Sequence, residues 1–401
     1  MKILQLTNKP PWPDKDGGAI AMLNLTKGFS RLGHDITILS MNTLKHHTRV
    51  ADIPVYLREM ADFRFVTVPA GISPVRALVN LLFSRLPYNA ERFISREYEN
   101  ALVSLLKEKN FDIVQLEGLY LCPYIPAIRK HSSARIAYRA HNIESEIWER
   151  GTMLASGPKR WYLRNLTSRI RRFEYDWINR YDLLVPITGR DNLMLGEMGN
   201  TKPSQVTPSG MDMHNITTAS IPVEFPSLFH IGSLEWAPNQ EGLLWFLKNV
   251  WSRLSPEFPD LSFYVAGRNA PEWLIGKLRQ PGVVFLGEVE NAFDFMQSKA
   301  VMVVPLLSGS GMRVKIVEGM ALGKAIVSTS IGAEGLSVTH GRELMIANDP
   351  DTFLMNLKKL IADRETCETI GMHAARFVRD HFDNGSITEK LAGFYLNALS
   401  Q

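Results

Sequence analysis

The chain has 401 residues, of which 45% are hydrophobic and 21% are charged, and its formal net charge is +4. This composition is typical of a globular protein, and the length suits two α/β domains better than one very large core. The two cysteines, Cys122 and Cys367, lie far apart in the sequence. They exclude a disulfide framework and a cysteine-based metal cluster and favour a reducing compartment, so we expect a cytoplasmic protein.

The chain begins with a strand-like pattern, MKILQLT, followed by prolines. A signal peptide would need an apolar run of about 7 to 15 residues, which this start lacks. A membrane-spanning helix would need about 18 consecutive apolar residues. The nearest segment, 77–83, is shorter and is flanked by Arg76 and Arg85. We therefore expect no membrane span.

Positive charge is concentrated in the first half of the chain. Residues 1–205 hold 29 lysines and arginines against 20 aspartates and glutamates, a net charge of +9, which leaves −5 for the rest. This asymmetry indicates an anionic ligand or surface for the first half. The small total charge does not favour nucleic acid, and we expect no nucleic-acid partner.

Short apolar runs typical of β-strands recur along the chain, separated mostly by stretches of helical length such as 19–32 and 239–254. They lie at 3–6, 35–39, 65–68, 113–116, 135–138 and 183–187, and then at 227–231, 263–266, 283–286, 301–304, 325–328 and 344–346. Strands that alternate with helices form parallel sheets with helical crossovers. We predict an α/β protein with two Rossmann-like, doubly wound domains over 1–205 and 206–378, and a final helix over 379–401 that packs back on the first domain.

The loop after the first strand leads into a helix that opens with Gly17 and Gly18. Backbone N–H groups at such a helix start can approach a phosphate or a sugar hydroxyl closely, although the pair can also make only a tight turn. No G-x-G-x-x-G follows the strand, which argues against a nicotinamide cofactor. Asp14 and Asp16 imitate a D-x-D metal motif, but one of them can cap the helix instead, and we expect no essential metal.

A histidine follows the strand at 135–138, where the chain reads RAHN over 139–142. Ligands of doubly wound sheets bind beyond the carboxyl ends of the strands. His141 at this position can hydrogen-bond a phosphate or a sugar hydroxyl. The alternatives are a structural histidine and an Asn142 that caps the next helix. We interpret His141 as a catalytic-site residue.

The strongest motif reads SGSGMRVKIVEGMALG over 308–323, between a predicted strand and the next. A diphosphate can be bound by the amide groups of a loop that contains Gly309 and Gly311. Arg313 and Lys315 would add positive charge for its oxygens. Glu318 can accept hydrogen bonds from both hydroxyls of a ribose. The alternative is a solvated basic helix start in which Glu318 pairs with Lys315 or Lys324.

These motifs, taken in order, resemble the family 4, or group 1, glycosyltransferases, which have the GT-B fold with two Rossmann-like domains facing a cleft. The segment 318–327 matches the second half of the family pattern, a glutamate followed by A-x-G-x-P-V-V. Further resemblances lie at Gly17-Gly18, at His141, and at 208–212, 232–233, 265–267 and 285–287. The resemblance implies a retaining transfer from a nucleotide-sugar donor to an acceptor, with no metal and no other cofactor.

Two departures from the family pattern affect the donor site. The first acid of the family's acidic pair falls at Ser310, which puts the donor sugar in question. The segment 232–239 lacks the arginine and lysine that many relatives carry there. We therefore assign the diphosphate to Arg313 and Lys315, with Arg268 as a weaker candidate.

A basic run over 159–172 carries Trp161 and Tyr162. Such a helix can lie on the anionic inner face of the cell membrane and bring the enzyme to a lipid-linked acceptor, or it can be a solvated outer helix. The sequence thus predicts a cytoplasmic glycosyltransferase of polysaccharide biosynthesis, acting on a glycan or lipid-linked acceptor. Two other functions stay open, a sugar-nucleotide epimerase of the same fold and a catalytically silent partner subunit.

Overall fold

A computed structural model describes residues 1–14, 16–213, 221–309 and 311–400, with the side chain of Leu154 left out. The chain divides into two compact units, Met1–Gly210 with Asn384–Gln401, and Met211–Asp383. These limits lie a few residues C-terminal to those expected at 205 and 378. Within the described residues, no helix has both the length and the apolar character that a bilayer span requires.

The first unit is built on a six-stranded parallel sheet. Its strands are β1 Lys2–Thr7, β2 Asp35–Asn42, β3 Asp62–Thr67, β4 Ile113–Glu117, β5 Arg135–Ala140 and β6 Leu183–Pro186. They are ordered β3-β2-β1-β4-β5-β6. The chain therefore builds outward from β1 to β3 and returns on the other side of β1 with β4. This reversal is the topological switch point of a doubly wound sheet, where ligands bind beyond the carboxyl ends of the strands.

Helices cover both faces of this sheet. They are α1 Gly17–Arg31, α2 Val55–Met60, α3 Pro74–Phe83, α4 Tyr88–Glu91, α5 Arg96–Glu108, α6 Ile125–His131, α7 Glu144–Leu154, α8 Gly157–Trp177 and α9 Gly189–Glu197. Short 3-10 turns lie at Val50–Asp52 and Leu119–Tyr124. Alternate residues of β1 enter separate apolar clusters, Ile3 on one face and Leu4 and Leu6 on the other. Both faces of the sheet are thus buried, as in other parallel sheets.

The second unit repeats this plan. Its strands are β7 Glu224–Ile231, β8 Ser262–Ala266, β9 Val283–Gly287, β10 Lys299–Val304, β11 Ala325–Ser328 and β12 Met345–Ile346, ordered β12-β11-β10-β7-β8-β9. All registered pairs are parallel, and the switch point lies between β7 and β10. The structure confirms the prediction of two doubly wound α/β sheets.

Helices also flank the second sheet, and a last helix returns to the first unit. They are α10 Ala237–Phe246, α11 Ser252–Leu254, α12 Glu272–Leu278, α13 Ala292–Gln297, α14 Val314–Ala321, α15 Pro350–Ala362, α16 Arg364–Phe382 and α17 Asn384–Leu399, with a π-helical turn at Leu247–Trp251. Leu391 and Tyr395 of α17 are buried in the same apolar cluster as Leu23 and Phe29 of α1. The last helix is therefore part of the core of the first unit.

Candidate active site

A row of buried polar side chains crosses the switch point of the first unit. Thr7 of β1 is the register partner of Glu117 of β4, and Glu117 is in turn the register partner of Arg139 of β5. All three side chains are buried. Buried polar groups at the carboxyl ends of adjacent strands are costly unless they are paired, so we treat this end of the sheet as a candidate site.

His141 follows β5 directly and joins this row. Its Nε2 lies 2.6 Å from Oε2 of Glu117, and Nη1 of Arg139 donates to the same oxygen at 3.3 Å. Gln115 donates to the other carboxylate oxygen and accepts from the hydroxyl of Tyr395 at 2.6 Å. The His141 side chain is 17% exposed, whereas those of Glu117 and Arg139 are fully buried. The imidazole is therefore the part of this network that a ligand can reach.

The protonation states in this network follow from the charges. Burial by itself raises the pKa of Glu117, but the charge of Arg139 and the hydrogen bond of His141 lower it to about 2. Burial lowers the pKa of His141, although Glu117 acts in the opposite direction. A carboxylate only accepts hydrogen bonds, so Nε2 of the neutral imidazole carries the proton. Within the described part of the chain, Nδ1 has no hydrogen bond, and it can accept one from a hydroxyl group.

The asparagine after His141 does not cap the next helix. The N-cap of α7 is Ile143, and the carboxylate of Glu174 from α8 accepts from the backbone N–H groups of Glu144 at 2.6 Å and Ser145 at 3.1 Å. The capping alternative for Asn142 is therefore wrong.

Gly17 and Gly18 are the first two residues of α1, after the loop that follows β1. The N-cap is Asp16, which accepts from the backbone N–H of Ala19 at 3.0 Å. Lys9 donates to the same carboxylate oxygen at 2.5 Å. Asp16 therefore caps the helix, which was one of the two roles considered for the aspartates of this loop. An anion bound at the helix start would lie close to both the Asp16 carboxylate and the Lys9 ammonium. Lys15 lies outside the described residues.

In the second unit, the loop after β10 leads to the start of α14. Gly309 and Gly311 have φ angles of 102° and 81°, a left-handed conformation that favours glycine. A Cβ atom on Gly309 would lie 2.8 Å from Nη2 of Arg313 and 3.0 Å from the ring of Trp236. The loop therefore wraps closely around these two side chains. Ser310 lies outside the described residues.

Arg313 stands at the N-cap of α14, and its guanidinium lies 5.2 Å from the ring centroid of Trp236. Trp236 is the N-cap of α10, at the end of the loop that follows β7. Ser308 in the β10 loop donates to Glu241 of α10 at 2.8 Å. These contacts join the two loops that flank the switch point between β7 and β10, where a ligand of this sheet would bind.

Lys315 and Glu318 form an ion pair on α14, with Nζ of Lys315 2.8 Å from Oε2 of Glu318. Glu318 is buried, and Lys315 is partly exposed. Lys324, the other partner considered for Glu318, instead donates to the backbone carbonyls of Gln297 and Lys299. A ribose would therefore have to share Glu318 with Lys315.

Arg268 follows β8, one strand beyond the switch point, and its carbonyl oxygen accepts from the N–H of Leu234 at 2.9 Å. The preceding Gly267 approaches the β7 loop so closely that a Cβ atom would lie 1.9 Å from the carbonyl oxygen of Gly232. Arg268 is thus held next to the loop that ends in Trp236.

Within the second unit, the structure brings two pairs of the predicted residues together. Gly309 and Arg313 lie side by side, and so do Lys315 and Glu318. Sequence reasoning missed Glu117, Lys9 and Trp236. A signal for Glu117 exists, because it is the one charged residue of the apolar strand IVQLE and ends that strand as His141 follows the next.

Comparisons with known proteins agree with this architecture. Residues 225–363 match the family model described as Glycosyl transferases group 1. An uncharacterized 44.6 kDa protein in the cps region of Klebsiella pneumoniae is 22% identical over 408 residues, which cover 96% of this chain and 97% of that protein.

Solved structures of low sequence identity share the fold over the full length. Sucrose-phosphate synthase from Thermosynechococcus elongatus has a TM-score of 0.76 at 13% identity and covers 100% of both chains. Anabaena HepE in complex with UDP has a TM-score of 0.70 at 16% identity and covers 99% of this chain and 100% of its own. HepE has also been solved in complex with UDP-glucose, with a TM-score of 0.68 at 15% identity.

Two doubly wound units with polar residues gathered at each switch point give this chain the GT-B fold. The second unit resembles the group 1 glycosyltransferases over residues 225–363, and the solved structures extend the shared fold to the whole chain.

Proposed function

We propose that this enzyme transfers a sugar from a UDP-sugar to a glycan or lipid-linked acceptor, with retention of the anomeric configuration. The observation that carries the proposal is the loop after β10, in which Gly309 lies against Arg313 and Trp236 in the unit that contains residues 225–363, the part that matches the family model. HepE binds UDP and UDP-glucose on the same fold, which supports uracil as the base.

The donor diphosphate would bind at the start of α14. The N–H groups of Gly309 and Gly311 and the guanidinium of Arg313 would donate to its oxygens, and Trp236 would hold the guanidinium plane in place. Lys315 would add a second positive charge. Glu318 would accept hydrogen bonds from the ribose hydroxyls, with Arg268 as a further cation from the neighbouring loop.

The polar residues at the switch point of the first unit suit a sugar. Nδ1 of the neutral His141 would accept a hydrogen bond from a sugar hydroxyl, and Glu117 and Arg139 would fix the orientation of the ring. The amide groups of Gly17 and Gly18 would lie beside the sugar or its phosphate, next to Lys9.

The reaction would follow from same-face attack. The acceptor oxygen bonds to the anomeric carbon as the bond to the diphosphate breaks, and the leaving phosphate oxygen takes the acceptor proton. Arg313 and Lys315 would stabilise the negative charge that grows on the diphosphate. No enzymic nucleophile is required.

The acceptor class rests on the relative from Klebsiella pneumoniae, whose position in a cps region suggests the synthesis of a surface polysaccharide. A precursor glycan, free or attached to a lipid carrier, is the acceptor that such a pathway provides.

Thermal unfolding of the purified protein with UDP, GDP, ADP, CMP and dTDP tests the donor. A ligand that binds only the folded state raises the melting temperature. We expect a rise that is selective for UDP, is lost in Arg313→Ala and persists in Arg376→Ala, which removes an exposed arginine of α16. No rise with any nucleotide would favour the silent partner subunit.

NMR of the products tests the reaction. Transfer to acceptor with retained configuration supports the proposal. Conversion of the donor to an epimeric sugar nucleotide without acceptor would instead establish the epimerase.

A further inference from the structure

Helix α3 of the first unit presents an apolar stripe to solvent. Val75, Leu78, Val79 and Leu82 recur at the spacing of one helix face, and each is more than half exposed. Ile72 before the helix is 80% exposed and Phe83 at its end is 83% exposed. In a water-soluble protein the apolar stripe of a surface helix normally faces the core, so a stripe that faces outward marks an interaction surface.

The opposite face fixes α3 firmly to the rest of the unit. Asn80 is the buried residue of the helix and donates to the carbonyl of Leu86 and to Glu91. Arg169 of α8 donates to the carbonyl oxygens of Asn80 at 3.1 Å and Leu81 at 2.7 Å. The exposed stripe is therefore held in a fixed position beside α8.

Basic side chains are frequent in α3, in the residues that flank it, and in α8, which contacts it through Arg169. The segments 72–86 and 157–172 contain eight lysines and arginines and no acidic residue. They are Arg76, Arg85, Lys159, Arg160, Arg164, Arg169, Arg171 and Arg172, and all but Arg169 are exposed. Arg171 is paired with Glu149 of α7. On the other flank of α3, Arg76, Arg92 and Arg96 line a cavity of about 380 Å³ together with Glu91 and Glu97. Both acids of the cavity accept hydrogen bonds from neighbours, Glu91 from Asn80 and Ser84 and Glu97 from Ser95.

We infer that the first unit docks on an anionic lipid bilayer through the outward stripe of α3, with the exposed cations of 72–86 and 157–172 on the headgroups. We call this surface the docking face. An apolar stripe bordered by basic side chains is the combination that binds anionic bilayers, because it uses both the acyl boundary and the surface charge. A second copy of this chain is less suitable, since a symmetric contact would bring like charges together.

The docking face differs from the contact expected from sequence, which was the basic helix 159–172 alone. Leu166 and Ile170 of α8 are buried against Tyr88, with Ala77 of α3 packed on this cluster, so these apolar side chains cannot enter a bilayer. Helix α8 thus supplies charge and the exposed ring of Trp161, while α3 supplies the apolar surface. This inference goes beyond the proposed function, because it does not depend on donor binding.

Sedimentation of the full-length protein with vesicles tests the docking face. We expect binding to vesicles of equal parts phosphatidylcholine and phosphatidylglycerol, and little binding to phosphatidylcholine alone. Leu78→Gln combined with Leu82→Gln should weaken binding by about tenfold for each leucine. Arg160→Gln combined with Arg164→Gln should weaken it by about fivefold for each arginine, with stronger loss at high salt.

Leu193→Gln is the matched control, since Leu193 on α9 is 70% exposed and lies outside the docking face. All variants should keep the wild-type melting temperature and its rise with UDP, which separates a failure of docking from a failure of the proposed donor site. Equal vesicle binding by wild type and the leucine variant would overturn the inference. So would a wild-type dimer that the leucine variant dissociates, because a second copy would then cover the stripe.

Discussion

Nε2 of His141 lies 2.6 Å from Oε2 of Glu117, a carboxylate that also accepts from the buried Arg139. This pairing fixes both the tautomer and the orientation of the imidazole, because the carboxylate can only accept. It leaves Nδ1 as the ring atom that would accept a hydrogen bond from a ligand. The two members of the pair should consequently behave differently when they are replaced.

His141→Ala should lower kcat by about 100-fold, the usual scale for a lost polar contact in a transition state. The melting temperature should change little, because the side chain is partly exposed. His141→Asn, which can still hydrogen-bond a hydroxyl, should recover part of the rate. Steady-state kinetics and thermal unfolding of the same preparations give both values, and an unaltered kcat in His141→Ala would remove this residue from the site.

Glu117→Gln should destabilise the first unit by about 3 kcal/mol or more, because it leaves the buried charge of Arg139 without its counter-ion. Urea unfolding measures this loss. Glu108→Gln is the control, since Glu108 is a half-exposed partner of Arg64, and it should cost less than about 1 kcal/mol. Similar losses in the two variants would show that Glu117 does not neutralise Arg139.

Glu174 should make the stability of the enzyme depend on pH. Burial, with a smaller contribution from the nearby Glu144, raises the pKa of Glu174 from 4.5 to about 7. The folded state then binds this proton more tightly than the unfolded state, so its contribution to stability is complete below pH 4.5 and is lost as the pH rises to about 7.

The loss should amount to about 2 to 3 kcal/mol between those limits. Glu174→Gln should remove this part of the pH dependence and keep an acceptor for the N–H groups of α7. Melting temperatures at pH 5 and pH 8 give the comparison, with Asp176→Asn, an exposed residue of the same helix, as the control. If Glu174→Gln showed the same difference in melting temperature between pH 5 and pH 8 as wild type, Glu174 would not be the group responsible for it.

Glu318→Gln should distinguish the contribution of the ribose to binding from that of the diphosphate. Loss of a carboxylate that accepts from hydroxyl groups should weaken UDP binding by about tenfold. Inorganic diphosphate should bind at least as well as to wild type, because Lys315 loses its ion-pair partner and is available to the anion. Arg313→Ala should weaken both ligands. Titration calorimetry gives the affinities of wild type and of both variants for the two ligands, and equal losses for both ligands in Glu318→Gln would refute a ribose contact.

Trp236→Ala should weaken UDP binding by about fivefold, because the ring no longer orients the guanidinium of Arg313. Trp236→Phe should restore most of the affinity, since it keeps an aromatic face. Trp273→Ala on α12 is the control, because Trp273 is a similarly exposed ring elsewhere in the same unit. Loss of affinity in the control alone would disprove the role of Trp236.

Much of the fold could be predicted because strand runs of a parallel sheet are continuously apolar and helices between them are amphipathic. The apolar pattern predicts a strand at 65–68, whereas β3 begins three residues earlier, at Asp62. Asp62 and Arg64 break the apolar pattern, and the structure shows that both are satisfied by ion pairs with each other, with Lys109 and with Glu108. The pairs with Lys109 and Glu108 join residues far apart in sequence, so no local pattern reveals them.

The sequence by itself determined the two doubly wound sheets, the strand end at His141 and the glycine-rich start of α14, because periodicity and turn residues act locally. Only the tertiary structure decided that Glu117 and Arg139 orient His141, that Trp236 supports Arg313, and that the apolar stripe of α3 faces outward. Each of these arrangements depends on strand register or on which helix face is covered by the rest of the unit. Register and coverage are set by contacts between distant segments, and the spacing of apolar residues along one segment does not predict such contacts.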